Sequence, residues 1–208
     1  MALAHKGLEF ESVPWRFTDK EAIAFSGHGT VPVLVDGERT VADSWQIALY
    51  LDAAYPDRPP LLESDQARGT AKVFKFWCEQ NVHPPLLHII MPDLFANLHE
   101  RDKAYFRESR EKRFGATLEQ IGADRAGALV ALRKGLDAVR PVLVEQAYIG
   151  GAQAAFADYI LFGAFQWARV MSPARLLEPD DPMYVWRERM LDLYHGLARN
   201  ALGYPVWA

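Results

Sequence analysis

The stretch from Val31 to Leu51 reads Val-Pro-Val-Leu-Val-Asp-Gly-Glu-Arg-Thr-Val-Ala-Asp-Ser-Trp-Gln-Ile-Ala-Leu-Tyr-Leu and sets two local structures in succession. The run Val31 to Val35, then Asp36-Gly37, then Glu38 to Ala42 is the pattern of a β-hairpin closed by a favoured two-residue turn. Asp43-Ser44 next opens a helix: both side chains accept from N–H groups at a helix start, and Ile47, Tyr50 and Leu51 recur at helical spacing. Pro56 ends it.

Outward from this stretch, the chain changes character. Upstream, residues 8 to 17 alternate apolar and polar side chains until Pro14, which predicts a short strand ending at a sheet edge. Thr18 with Glu21 three residues later predicts a capping box and a helix through Ala24 or Phe25, stopped by Gly27 and Gly29. Downstream, Pro56, Pro59 and Pro60 form a stiff connector, after which helical periodicity alone persists. The expected domains are therefore residues 1–62 and 63–208. Helices are expected over 66–81, 86–98, 101–114, a long one from 118 or later to 145, 158–170 and 182–200. His83-Pro84-Pro85 separates the first two and Gly150-Gly151 follows the long one.

Composition narrows the function. The 208 residues suffice for one large or two small domains, and 50% hydrophobic with 24% charged residues is an ordinary globular balance. A net charge of −4 argues against a general nucleic-acid binder, and the densest basic cluster, Arg107 to Arg113, is interrupted by Glu108 and Glu111. The single cysteine, Cys78, forms no internal disulfide. No stretch is long and apolar enough to cross a bilayer, and residues 1 to 7 lack the apolar core of a signal peptide, so a cytoplasmic protein is the simplest reading.

A small unit of strand, helix, hairpin and helix, with Pro32 in the first hairpin strand and Asp43-Ser44 opening the last helix, resembles the N-terminal domain of the glutathione S-transferases. The helical remainder fits the same family. Val-Pro-Val-Leu-Val-Asp-Gly, Asp-Ser-Trp-Gln-Ile-Ala-Leu-Tyr-Leu-Asp, Tyr-Pro-Asp-Arg-Pro, and Arg101-Asp102 with Tyr105-Phe106-Arg107-Glu108-Ser109-Arg110-Glu111 are similar to a subgroup containing bacterial β-aryl etherases and their fungal relatives. The resemblance implies an α+β fold, a thioredoxin-like domain lacking its first strand followed by an all-α domain. It also implies glutathione as co-substrate, a small hydrophobic electrophile as second substrate, and a homodimer.

Residue by residue, the resemblance implies a cis Val31–Pro32 bond, with the Val31 backbone pairing the cysteinyl part of glutathione as an added strand would. The helix N-terminus at Ser44 offers N–H groups and its hydroxyl to the γ-glutamyl carboxylate, and Asp43 faces the ammonium. Asp stands where the family more often has Glu, as it also does in the etherase-like subgroup. His28, in Ser26-Gly27-His28-Gly29-Thr30, either meets the glycyl carboxylate or is an exposed loop histidine with no ligand. A Val-Pro pair and an Asp-Ser pair are each common as plain structure; their joint spacing is what points to glutathione.

The same resemblance places a strand, and a turn bearing Ser, Tyr or Cys, ahead of residues 1 to 6, which read as the last turn of a helix stopped by Gly7. The thiol-activating residue is expected in that preceding segment and none is assigned from Met1 onward. Its task would be to ionise a thiol whose free pKa is roughly 8.5 so that it attacks an electrophilic carbon. Cys78, among Phe74, Phe76 and Trp77, reads as a packed core residue. His83, His88, His99 and His195 lack metal-ligand spacing, and no metal is expected. Tyr105 and Trp167 are pocket candidates, with core packing the commoner reason for such aromatics. Asp158 is expected to be structural, with Ala155 in place of the usual Ser or Thr cap. The rival to a transferase is a non-catalytic binding protein on the same fold.

Overall fold

A computed structural model of the chain describes residues 1–205. The hairpin forms where β-branched residues demand it, with β1 (Val33–Asp36) antiparallel to β2 (Arg39–Ala42). Asp36 lies opposite Arg39, so the turn is Gly37-Glu38, one residue later than the sequence pattern indicates. Gly37 has φ 57° while Glu38 stays out of the left-handed region, the signs of a turn that puts glycine first. Helix α2 (Ser44–Ala54) follows, burying Trp45, Ala48 and Leu51. Tyr50 and Tyr55 donate their hydroxyls to Asp36 Oδ2 at 2.9 and 2.6 Å, tying hairpin to helix.

Two expectations upstream give way. Residues 1 to 7 are one helical turn, α1 (Ala2–His5), closed by Gly7 at φ 63° as expected. The strand expected near residues 8 to 13 is absent: residues 8 to 16 have no regular structure, and the sheet among the described residues is β1–β2 alone. A strand exists only through its neighbour's hydrogen bonds, and alternation by itself supplies none. Thr18 caps no helix. Its N–H and Oγ1 both donate to Asp102 Oδ1, at 3.1 and 2.8 Å, and the chain instead makes a 3-10 turn over Glu21–Ser26 that stops at Gly27, φ 70°.

The remainder is helical: α3 (Asp65–Asn81), α4 (His83–Asn97), α5 (Glu100–Phe114), α6 (Leu118–Ile121), α7 (Arg125–Gly135), α8 (Arg140–Glu145), α9 (Phe156–Met171) and α10 (Pro182–Gly196). Pro84 and Pro85 occupy the first turn of α4, where no intrahelical N–H bond is lost. The long helix expected up to Glu145 is three helices, α6 to α8, with a 3-10 turn at Leu136–Ala138. Packing explains the breaks. Gly122 sits so close to Pro92 that a Cβ would lie 2.5 Å from its ring, and Asp124 accepts the Gly127 N–H at 2.8 Å to start α7 afresh. At its far end Gly135 presses on the Asn81 carbonyl, 2.9 Å from where a Cβ would stand. Helix α10 also stops short of residue 200. Leu193, Tyr194 and His195 leave helical dihedrals, and Tyr194 (φ 54°) aims its hydroxyl at Tyr159 and His5.

Helix α9 is the spine, with Asp158, Leu161, Phe162, Ala164 and Phe165 buried along it. Asp158, 0% exposed, accepts from the N–H groups of Ile149, Gly150 and Ala155 and from Trp186 Nε1, at 2.8 to 3.0 Å. Ala155 returns no side-chain acceptor, so half of a capping box is made, as the sequence indicates. On the opposite flank the buried Lys6 pairs with Asp52 Oδ1 at 2.6 Å, and Asp52 also accepts from Leu61 and Leu62 N–H at 2.9 and 2.8 Å. No helix among the described residues is long and apolar enough to cross a membrane.

Removing the Asp158 carboxylate strands four donors, three of them backbone groups. Asp158→Ala is expected to destabilise the fold by about 3 kcal/mol or more, and Asp158→Asn by less, in urea unfolding. A loss under about 1 kcal/mol for the alanine variant would contradict this role. Burial pushes the Asp52 pKa up, but Lys6 and the two N–H groups outweigh it and hold it below the ordinary 3.8. A carboxyl lowered on folding stabilises above its unfolded pKa and loses that contribution as pH falls through the folded one. Stability is therefore expected to hold down to about pH 5 and to fall below it. Asp52→Asn is expected to remove part of that acid slope, and an unchanged slope would assign it to other carboxylates.

Candidate functional site

The site begins at the junction of β1 and α2. The Val31–Pro32 peptide bond is cis, and the Pro32 carbonyl accepts the N–H of Asp43 at 3.1 Å. That one bond brings the strand's entry against the helix's start, as the hairpin's register requires. Asp43 stands at φ 75°, a conformation rare for a residue with a Cβ, and from there its Oδ1 accepts from Trp45 and Gln46 N–H at 2.9 and 3.1 Å. The helix start is thus less open than the sequence implies. Asp43 consumes two first-turn donors and leaves the Ser44 N–H, with the Ser44 hydroxyl, free of protein partners among the described residues. The N–H and C=O of Val31 are likewise unpaired, and its side chain is 47% exposed.

Ser44 opens onto a cleft of about 620 Å³ between the hairpin unit and the helical part. Its walls are mostly apolar, from Leu34 and Ile47 on one side to Phe156, Ile160 and Trp167 of α9 on the other. Such a volume is in the range of small-molecule sites, roughly 300–1,000 Å³. Lys75, Glu79 and His83 add a polar strip at spacings of four along α3 into α4. Pro32 also borders a second, larger groove of about 970 Å³ that runs between residues 8–15 and β1.

The structure sets Pro32 beside Asp43, with Pro32 bordering both clefts, Val31 on the larger groove and Ser44 on the smaller one. It leaves His28 apart: His28 is exposed, its N–H donates to Ser26 Oγ at 3.2 Å, and it lines neither cleft. Trp167 lines the Ser44 cleft, whereas Tyr105 faces the Lys20 ammonium, 5.4 Å from its ring centre. Burial pushes the Cys78 thiol up to about 12, with Glu79 adding to the shift, so the thiol stays protonated and inert. Partial desolvation of the exposed His83 lowers its pKa from the ordinary value against the opposing pull of Glu79, favouring the neutral imidazole near pH 7. Spacing along the chain pointed to no role for Lys75, Glu79 or His83 as a group. Their recurrence at i, i+4 and i+8 was the available signal, but Pro84 and Pro85 obscured the continuity of the face.

The family described as glutathione S-transferase, N-terminal domain, matches residues 1–54, and glutathione S-transferase, C-terminal domain, matches residues 70–181. Glutathione S-transferase Z2 of Arabidopsis thaliana is 31% identical over 170 residues, 77% of this chain and 66% of its own length. Glutathione S-transferase Z1 of the same plant is 43% identical over 70 residues, 31% of each chain. This chain thus spans less than two thirds of those curated relatives. Among solved structures, a glutathione transferase of Phanerochaete chrysosporium, GSTFuA3, superposes with a TM-score of 0.73 at 28% identity, over 94% of this chain and 82% of that one. A glutathione S-transferase of Ceriporiopsis subvermispora, solved with glutathione, shares the fold at a TM-score of 0.77 and 24% identity, over 93% of this chain and 86% of that one. With the helical match covering more than half of the chain and the hairpin unit matched as well, a thioredoxin-like domain followed by an all-α domain is established, and the chain belongs to the glutathione S-transferase family.

Proposed function

We propose that this chain binds glutathione at Val31, Pro32, Asp43 and Ser44 and presents it to a hydrophobic electrophile in the cleft beside Ser44. The bond from Asp43 N–H to the Pro32 carbonyl carries the reading, because it joins the strand entry, one residue after the unpaired backbone groups of Val31, to the helix start, one residue before the free N–H and hydroxyl of Ser44. The first pair accepts and donates as a strand edge does, which suits the peptide-like cysteinyl unit. The second pair suits a carboxylate at a helix N-terminus. Asp43, with Oδ1 committed to the cap, keeps Oδ2 for the ammonium. Residues 1–62 act as the holding domain and residues 63–208 supply the far wall of the cleft.

Bound glutathione supplies the thiol, whose ionised form attacks an electrophilic carbon and displaces its leaving group. The chain's own contribution is orientation and exclusion of water by the Leu34, Ile47, Ile160 and Trp167 walls. Aryl ethers are the substrate class we favour. The flat aromatic wall at Trp167 and the neutral His83 imidazole, a hydrogen-bond donor toward a phenolic oxygen, support that choice. Val73 and Phe76, 71% and 50% exposed on α3, support self-association into a two-fold dimer.

Titration calorimetry with glutathione tests the clamp. Ser44→Ala is expected to weaken binding about tenfold, the scale of one hydrogen bond to a charged group, with little change in the unfolding midpoint. Equal affinity in wild type and variant would remove Ser44 from the site, and no binding by the wild type would overturn the reading. Turnover of a generic aryl halide and of a β-aryl ether, followed by release of the leaving group, separates a transferase from a non-catalytic binder. Glutathione binding with no turnover of either favours the binder.

A further inference from the structure

Helix α5 and the segment of residues 15–20 share one contact that the glutathione reading leaves unused. Asp102, in the first turn of α5, is 3% exposed. Its Oδ1 accepts both the N–H and the hydroxyl of Thr18, at 3.1 and 2.8 Å, and its Oδ2 lies 3.7 Å from an Arg16 guanidinium nitrogen. Around it Arg101 pairs with Asp19 at 2.8 Å, and the rings of Phe17 and Phe106 lie 5.6 Å apart. Burial alone would raise the Asp102 pKa, yet the Thr18 donors and Arg16 hold it below its ordinary value, so the carboxylate is charged at neutral pH.

The contact reaches the candidate site through one more residue. Lys20 sits between Trp15 and Tyr105, 5.0 and 5.4 Å from their ring centres, and its ammonium donates to the Gly29 carbonyl at 2.9 Å. Gly29 is two residues before Val31. The chain from residue 15 to residue 30 has one short 3-10 turn and local bonds such as Trp15 Nε1 to the Asp19 carbonyl at 2.8 Å, but no strand or longer helix. Its first part is fastened to α5, while buried Ile23 and the 3-10 turn pack toward β2.

We propose that Asp102 is a positioning residue for glutathione: through Thr18, and with Lys20 carrying the restraint to Gly29, it holds the chain that delivers the Val31 backbone to the ligand. The proposal rests on the glutathione reading above. It makes no contact between Asp102 and the ligand. Without the anchor, the segment samples other conformations and part of the binding energy is consumed in ordering it.

Glutathione titrations of wild type, Asp102→Asn, Thr18→Val, Thr18→Ser and Lys20→Met test it, alongside urea unfolding and hydrogen exchange of residues 15–31. Asp102→Asn and Thr18→Val are expected to weaken glutathione about tenfold and to speed amide exchange across residues 15–31, while Thr18→Ser, which keeps the hydroxyl, retains wild-type affinity. A purely structural Asp102 would lower the unfolding midpoint and leave the affinity of the folded protein unchanged; that result overturns the proposal while the glutathione reading stands. Wild type failing to bind glutathione overturns both. Should Asp102→Asn not fold, Thr18→Val and Lys20→Met decide the matter, since each removes one link and leaves the buried carboxylate in place.

Discussion

The buried carboxylate of Asp158 gathers more of this fold than any other side chain. Its four donors come from the turn at Ile149 and Gly150, from the start of α9 at Ala155, and from Trp186 in α10. A carboxyl group buried this deeply is tolerable only when its lone pairs are filled, so these segments take up their places together. Phe156, the first residue of α9, then gives its N–H to the Leu61 carbonyl and its ring to Trp45, 5.9 Å between centres. Trp45 is the second residue of α2. The orientation of the helix that bears Ser44 is thus inherited from a carboxylate that never touches the site.

A second restraint acts from the other side. Lys6 and Asp52, with the Leu61 and Leu62 N–H groups, fasten α1, α2 and the connector into one knot. The connector is held from both faces, by Asp52 through its N–H groups and by Phe156 through its carbonyl. The two halves of the molecule therefore meet along a built seam, with the Ser44 cleft set into it. Partly buried His5, bonded to Tyr159, Tyr194 and the Pro60 carbonyl, closes the same seam at its end. The backbone of Tyr194 and His195 leaves the helix there, where these tertiary bonds compensate the unfavourable dihedrals.

Legibility in the sequence followed the range of the interactions. The hairpin, α2 and its Asp43 cap, the α1 stop at Gly7 and most helix positions rest on neighbours within a few residues, so propensity and spacing revealed them. The errors lie where distant groups decide. Thr18 reads as a cap because Glu21 follows it, but Asp102, far along the chain, offers a charged acceptor for both of its donors. Residues 8 to 13 read as a strand because side chains alternate, yet no described strand pairs with them. The helix expected up to Glu145 breaks where Gly122 and Gly135 are pressed against Pro92 and Asn81, contacts that periodicity does not register. Val31, Pro32, Asp43 and Ser44 were legible as a candidate set through the spacing of the family the chain resembles, although the hairpin turn lies one residue later than read, whereas the polar strip of Lys75, Glu79 and His83 emerges only when α3 and α4 are placed.

The holding groups proposed for glutathione are largely backbone: the amide and carbonyl of Val31 and the amide of Ser44. Backbone groups bring no sequence signature of their own, and they aim correctly only if strand entry and helix start are fixed to within a fraction of an ångström. That requirement gives the surrounding polar network its meaning. Asp43 spends its Oδ1 on two helix amides and its own N–H on Pro32, which locks the turn between β2 and α2 at the cost of an unfavourable φ. Asp36, bonded to Tyr50 and Tyr55, fixes the far end of the hairpin against the same helix. Held at both ends, the hairpin cannot slide along α2, so the unpaired edge of Val31 and the free donors of Ser44 stay in register. In this architecture the short motif names the proposed place of binding, and carboxylates outside the motif hold that place rigid.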